Sequence, residues 1–144
     1  VIAVDTNLLV YAHRAEMPLH APALATLESL CAAPAAWAIP WPCAHEYVAV
    51  VTHPRIFRTP TPLAAALAHL RALITLPQVV TLAERDGYLD RLHDAATKAR
   101  VQGGAIHDAR IAALCALHGV AELWSADRDF TRYPALRARN PLVC

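Results

Sequence analysis

The chain has 144 residues, of which 56% are hydrophobic, and a formal net charge of +1. That length sets one domain, residues 1–144, with a core large enough to fold without disulfide or metal staples. The near-neutral charge gives no global field for a nucleic acid or an anionic surface. No run approaches the ~20 apolar residues of a membrane helix; the longest candidate, Leu63 to Leu76, is broken by His69 and Arg71.

No basic N-terminal region precedes a long apolar run, so no signal peptide and no membrane association are expected. Cys31, Cys43, Cys115 and Cys144 show no CxxC or zinc-type spacing, and they read as reduced thiols in a cytoplasmic protein. Arg128, Arg132, Arg137 and Arg139 crowd the C-terminal end. They fit either a solvated basic tail or bidentate phosphate contacts.

In chain order, Val1 to Val4 is a short apolar run of the kind that forms a buried strand. Asp5 follows it, at the carboxyl end of a first strand, where open α/β sheets place ligands. The simpler role for Asp5 or Thr6 is to cap the helix that begins near Leu8. His20 to Cys31 reads as a helix, with Leu24, Leu27 and Leu30 on its apolar side. Trp37 to Ile39 is a second strand. Cys43 to Thr52 is a helix that stops before Pro54. It is apolar almost all round, so Glu46, its only acid, is expected at a buried edge, paired with an arginine or with a metal.

Pro54 to Pro62 is a turn-rich connection. Leu63 to Leu76 is an alanine-rich helix, and Gln78 to Val80 a third strand. Thr81 and Glu84 have capping-box spacing, which gives Glu84 a local role at the start of the next helix. That helix carries Asp90, His93 and Asp94, spaced to hold a metal but flanked by Arg85, Arg91 and Lys98, so a solvated charged face is expected. Gly103 and Gly104 break the chain. A helix follows in which Asp108 shares a stripe with Ile111, Ala112 and Cys115. Gly119 stops it, Ala121 to Trp124 is a strand, and Ser125-Ala126-Asp127-Arg128-Asp129 is an acidic turn. Pro141 to Val143 reads as a last edge strand. Unalternating strands separated by helices predict a three-layer α/β/α domain with a central, mainly parallel sheet. There are no repeats, low-complexity segments or linkers.

In a parallel sheet Asp5, Glu46, Asp108 and Asp127 converge at one edge. A like-charge pair at ~4 Å costs on the order of 4 kcal/mol at an effective dielectric of 20. A divalent cation removes that repulsion, and oxygen-only ligands favour Mg²⁺ or Mn²⁺ over zinc. Such a centre suits phosphodiester chemistry with a metal-activated water. No GxSxG, P-loop, GxGxxG or HExxH motif competes with it.

The strand ending in Val4-Asp5-Thr6-Asn7, the helix acid Glu46 and the stretch His107 to Phe130 together resemble a PIN domain, and more narrowly the VapC-type ribonuclease toxins of prokaryotic toxin–antitoxin pairs. The resemblance spans essentially the whole chain. It implies that Asp5, Glu46 and Asp108 are metal ligands, with Asp127 completing the acidic set and Asp129 a fifth acid or a cap. It implies that Thr6 and Asn7 support Asp5 and that Ser125 orients a ligand or water. The implied reaction is endonucleolytic RNA cleavage with Mg²⁺ or Mn²⁺, in a homodimer neutralised by a VapB-type antitoxin. The alternatives are a PIN nuclease of RNA maturation, a non-catalytic PIN-like binding module, and a phosphatase of the haloacid dehalogenase type. The last expects a second acid where this chain has Asn7.

Overall fold

A computed structural model describes residues 1–143. Its centre is a five-stranded sheet in the order β3-β2-β1-β4-β5, with every pairing parallel. The strands are β1 (Ile2–Val4), β2 (Trp37–Pro40), β3 (Val79–Leu82), β4 (Glu122–Trp124) and β5 (Arg137–Arg139). Between them lie α1 (Thr6–His13), α2 (His20–Ala32), α3 (Trp41–Val51), α4 (Leu63–Ile74), α5 (Tyr88–Ala99) and α6 (Ile106–Leu117). Short 3₁₀ turns at Gly103–Ala105 and Arg128–Arg132 complete the order.

The period-two geometry of the strands separates two cores. Ala3, Ala38 and Leu123 face a core completed by Ala99 of α5 and by Ala109, Ala112 and Cys115 of α6. Val4, Trp37 and Ile39 face the opposite core, with Leu8 and Leu9 of α1, Tyr47 and Val51 of α3, and Ala66 and Leu70 of α4. Small side chains on the first face let α6 lie close to the sheet; large ones on the second fill the space under four helices. This is the three-layer α/β/α domain expected from the strand pattern.

The strand order reverses between β1 and β4. β1 pairs with β2 on one side and β4 on the other, so the loops leaving β1 and β4 diverge from one crevice at their carboxyl ends. The C-terminal residues of the sheet differ from expectation. The edge strand is Arg137–Arg139, not Pro141 to Val143. Arg137 N donates to Ala121 O at 2.7 Å, and Ser125 N to Arg139 O at 2.9 Å. A strand reading Arg-Ala-Arg carries no apolar signal, yet charge suits an exposed sheet edge.

The capping box also fails. Thr81 pairs with Ile39 inside β3. Helix α5 starts later, behind Gly87, whose φ of 90° is the left-handed conformation that glycine tolerates. Glu84 is an exposed residue of the loop before it. Cys31, Cys43 and Cys115 are free thiols, and Cys144 lies outside the described residues. Among the described residues no helix is long and apolar enough to cross a membrane.

Candidate active site

Asp5 occupies the crevice between β1 and β4. Its N–H donates to Trp124 O at 3.0 Å, so the residue still belongs to the sheet ladder as the chain turns away. Its side chain caps α1, accepting from Thr6 N at 2.8 Å through Oδ1. The capping role and a place in the site therefore belong to one residue. The other oxygen accepts from Ser125 Oγ at 2.7 Å and from Asn7 Nδ2 at 3.4 Å; Cys43 Sγ donates to Oδ1 at 3.4 Å. Asp5 is only 5% exposed. Burial pushes its carboxyl above the ordinary carboxylate range, Ser125, Thr6 and Cys43 pull it back through hydrogen bonds, and the Glu46 charge raises it slightly.

Ser125 is the brace of this corner. It is 3% exposed, and its hydroxyl donates to Asp5 while accepting from Asp127 N at 2.9 Å and Asn7 Nδ2 at 3.2 Å. Asn7 Oδ1 accepts from Ala126 N at 3.2 Å. Two loops distant in sequence are thereby locked together. Ser125→Ala leaves these buried partners short of a hydrogen bond, which costs about 1–3 kcal/mol. If Asp5 holds a metal, as the PIN resemblance implies, loss of its support should also lower metal affinity by roughly 10–100-fold. Denaturant unfolding and metal titration of the same variant read the two effects separately.

Asp5, Glu46, Asp108 and Asp127 all line one cavity of about 260 Å³. Asp108 enters from the first turn of α6, where an acid also suits the helix N-terminus. Its neighbours on the stripe, Ile111, Ala112 and Cys115, are buried, and Asp108 itself is half-buried. Its carboxyl is raised by burial first, then by the charges of Asp127, Asp5, Asp129 and Glu46. Asp127 caps the turn Arg128–Arg132, its Oδ1 accepting from Asp129 N at 2.8 Å. The cap of this turn is thus Asp127, and Asp129 lies in its first turn. Asp108, Asp127 and Asp129 each offer an oxygen, all within 4.8 Å of one another. Asp5 lies deeper, held by its hydrogen bonds.

Glu46 differs from the expectation of a buried edge. It is exposed, and its partner is Thr6, whose hydroxyl donates to Oε2 at 3.0 Å. Helix α3 buries Cys43, Ala44, Tyr47 and Val51 and leaves the Glu46 side to the cavity. Asp90, His93 and Asp94 are exposed on α5, and Asp94 pairs with Lys98 at 3.2 Å; this is a solvated face.

The sequence held no signal for the device that shapes the rest of the cavity. Arg14, just past α1, donates to Thr59 O at 2.7 Å and Thr61 Oγ1 at 2.9 Å. Its guanidinium lies 4.2 Å from the centroid of Phe57. The loop between α3 and α4 is thereby pinned, and its Ile56 and Phe57 join Val10, Tyr11 and Met17 in the apolar part of the cavity lining.

The acid set is chemically suited to a hard dication. It is all oxygen, burial and then its other members raise the Asp108 carboxyl, and the ion pairs among the described residues, Arg14–Glu16 and Lys98–Asp94, leave it uncompensated.

Comparison with known proteins identifies the family of the fold. The PIN domain family matches residues 2–136. Ribonuclease VapC48 of Mycobacterium tuberculosis is 31% identical over 95% of this chain and 94% of its own. Ribonuclease VapC43 of the same organism is 35% identical, covering 98% of this chain and 95% of its own. Among solved structures, VapBC2 of Rickettsia felis, bound to a DNA fragment from its promoter, superposes with a TM-score of 0.67 at 17% identity, covering 96% and 97% of the two chains. The sarcin–ricin-loop-cleaving toxin VapC20 of Mycobacterium tuberculosis gives 0.64 at 18% identity, covering 91% and 93%. The chain belongs to the PIN-domain family.

Proposed function

We propose that this chain is an endoribonuclease of the VapC type, the toxin of a toxin–antitoxin pair, hydrolysing RNA phosphodiesters with Mg²⁺ or Mn²⁺. The observation that carries the reading is the convergence of Asp5, Glu46, Asp108 and Asp127 on one cavity at the strand-order reversal. The names of its relatives, ribonucleases VapC48 and VapC43, support the substrate class.

Asp5, Asp108 and Asp127 would hold the ion, with Glu46 and Asp129 as further oxygen donors at its margin. A bound dication supplies neutralisation of phosphodiester charge and acidification of a coordinated water. The chain's own residues prepare that chemistry. Ser125 and the Thr6 N–H fix the two oxygens of Asp5 in direction. Thr6 Oγ1 draws Glu46 toward the same corner, and Phe57 adds an apolar side chain to the cavity lining. A VapB-type antitoxin and a homodimer are part of this proposal, and light scattering of the isolated chain reads the second.

The test is calorimetric titration with Mn²⁺ and Mg²⁺, alongside cleavage of RNA by the same preparation with and without EDTA. Saturable binding is expected, with cleavage that disappears in EDTA and returns with excess metal. Cleavage indifferent to EDTA would remove the metal from the proposal. Neither binding nor cleavage would assign the chain to the non-catalytic binding modules.

A further inference from the structure

A second cavity, of about 370 Å³, adjoins the acidic one. The two share Glu46, Asp108 and Ile111 as a common wall. Their other linings have opposite chemistry. The first cavity adds Asp5 and Asp127 and has no basic side chain or imidazole. The second adds Arg110, His45 and His107, with Pro42 and Ala49 as apolar lining.

Arg110 is the unusual member. It is half-buried on α6, and its Nε is buried with no hydrogen-bond partner among the described residues. Nor does any carboxylate there form an ion pair with it, although two carboxylates line the same cavity. A buried guanidinium N–H left without an acceptor costs free energy in the free protein. Because that Nε is closed off from solvent, an oxyanion entering the cavity meets the terminal Nη donors of the guanidinium, for which no carboxylate ion pair competes. His45 and His107 are exposed at the mouth and offer ring nitrogens to the same anion. His45 is steadied by Trp41, whose ring centroid lies 5.8 Å away at a tilt of 32°.

We propose that this second cavity is a phosphate subsite for the RNA backbone, in which Arg110 binds a phosphate flanking the scissile one while the acidic cavity takes the scissile group. The proposal rests on the ribonuclease reading above. It answers a problem that reading creates: four carboxylates repel a polyanion, and the site needs an adjoining cationic hold to seat the strand. Because Arg110 is on α6 two residues after Asp108, the same helix sets the spacing between the subsite and the acids. Arg110 is in this sense a positioning residue. It sets where the strand lies, and the acids act on it.

The experiment measures binding of a short, mixed-sequence, single-stranded oligoribonucleotide by fluorescence anisotropy across a salt series, together with cleavage kinetics in Mg²⁺. Arg110→Gln is compared with the wild-type chain, with Arg110→Lys, and with Arg71→Gln, an exposed residue of α4, as the control; thermal melts confirm that each variant is folded. For Arg110→Gln the expected result is affinity about ten-fold weaker. The slope of log affinity against log salt should fall by about 0.7, the value for one lost phosphate contact on a single strand. KM should rise while kcat stays within roughly two-fold. Arg110→Lys should keep the salt slope and lose part of the affinity, since ammonium keeps the charge but not the fork. Unchanged affinity, slope and KM in a folded Arg110→Gln, with the wild type cleaving RNA normally, would overturn the subsite alone. A wild-type chain that neither binds nor cleaves RNA would overturn the ribonuclease reading and the subsite with it.

Discussion

Asp5→Asn is expected to lower RNA cleavage by roughly 10³-fold or more, the several kcal/mol that a correctly held metal contributes to phosphodiester hydrolysis, while the fold remains intact. The substitution is nearly isosteric. An amide keeps an oxygen for the Thr6 N–H, which caps α1 at 2.8 Å, so the helix start survives. What it loses is one anionic oxygen, on the side where Ser125 donates at 2.7 Å. Because Asp5 is buried and its carboxyl is raised by that burial, replacing it also removes a charge that the metal-free fold solvates poorly. Cleavage by the variant, its metal titration and its melting curve should be measured on one preparation. Full activity in a folded Asp5→Asn would end the assignment of the acid set as the reaction centre.

Asp108→Asn should separate function from stability in opposite directions. Cleavage should again fall by roughly 10³-fold, but the metal-free protein should become more stable near neutral pH. The sign follows from linkage. Asp108 has a carboxyl raised in the folded chain, by burial and then by Asp127, Asp5, Asp129 and Glu46. The folded state therefore binds its proton more tightly than the unfolded state does. Stability from this group is greatest below the unfolded value of about 3.9 and is lost as pH rises through the folded value. The asparagine has no proton to lose, so in EDTA the melting temperatures of variant and wild type should diverge as pH rises above about 4. Solvent screens a half-exposed carboxylate, which holds the gain below about 1 kcal/mol, or ~3 °C. Mn²⁺ should close the gap by stabilising the wild type more than the variant. A variant that melts lower at neutral pH and still binds metal would make Asp108 a structural residue.

These expectations depend on an acid set that could be named before any contact was known. The apolar runs Val1 to Val4, Trp37 to Ile39 and Ala121 to Trp124 are unalternating because both faces of the sheet are covered, and that pattern alone implies parallel strands with helices on each side. An acid following β1, an acid in the first turn of α6 and an acid following β4 then fall at one sheet edge by topology. The meeting of these acids at one cavity was legible for that reason: strand ends are local features, and a parallel sheet gathers them.

Features built from long-range contacts were not legible. Glu46 read as a buried acid because α3 is apolar almost all round, but which side of a uniformly apolar helix faces water is decided by what packs against it. Here Tyr47 and Val51 meet the sheet core and Glu46 meets Thr6. The β5 strand is polar and owes its existence to hydrogen bonds with Ala121 and Ser125, not to its own side chains. Thr81 and Glu84 have the spacing of a cap, yet pairing with Ile39 in the sheet claims Thr81 first, a tertiary contact overriding a local preference. The clamp of Arg14 on the Phe57 loop and the cavity beside Arg110 join residues tens of positions apart or on different helices. Periodicity reports which side chains leave water together; only the packed chain decides which of them meet.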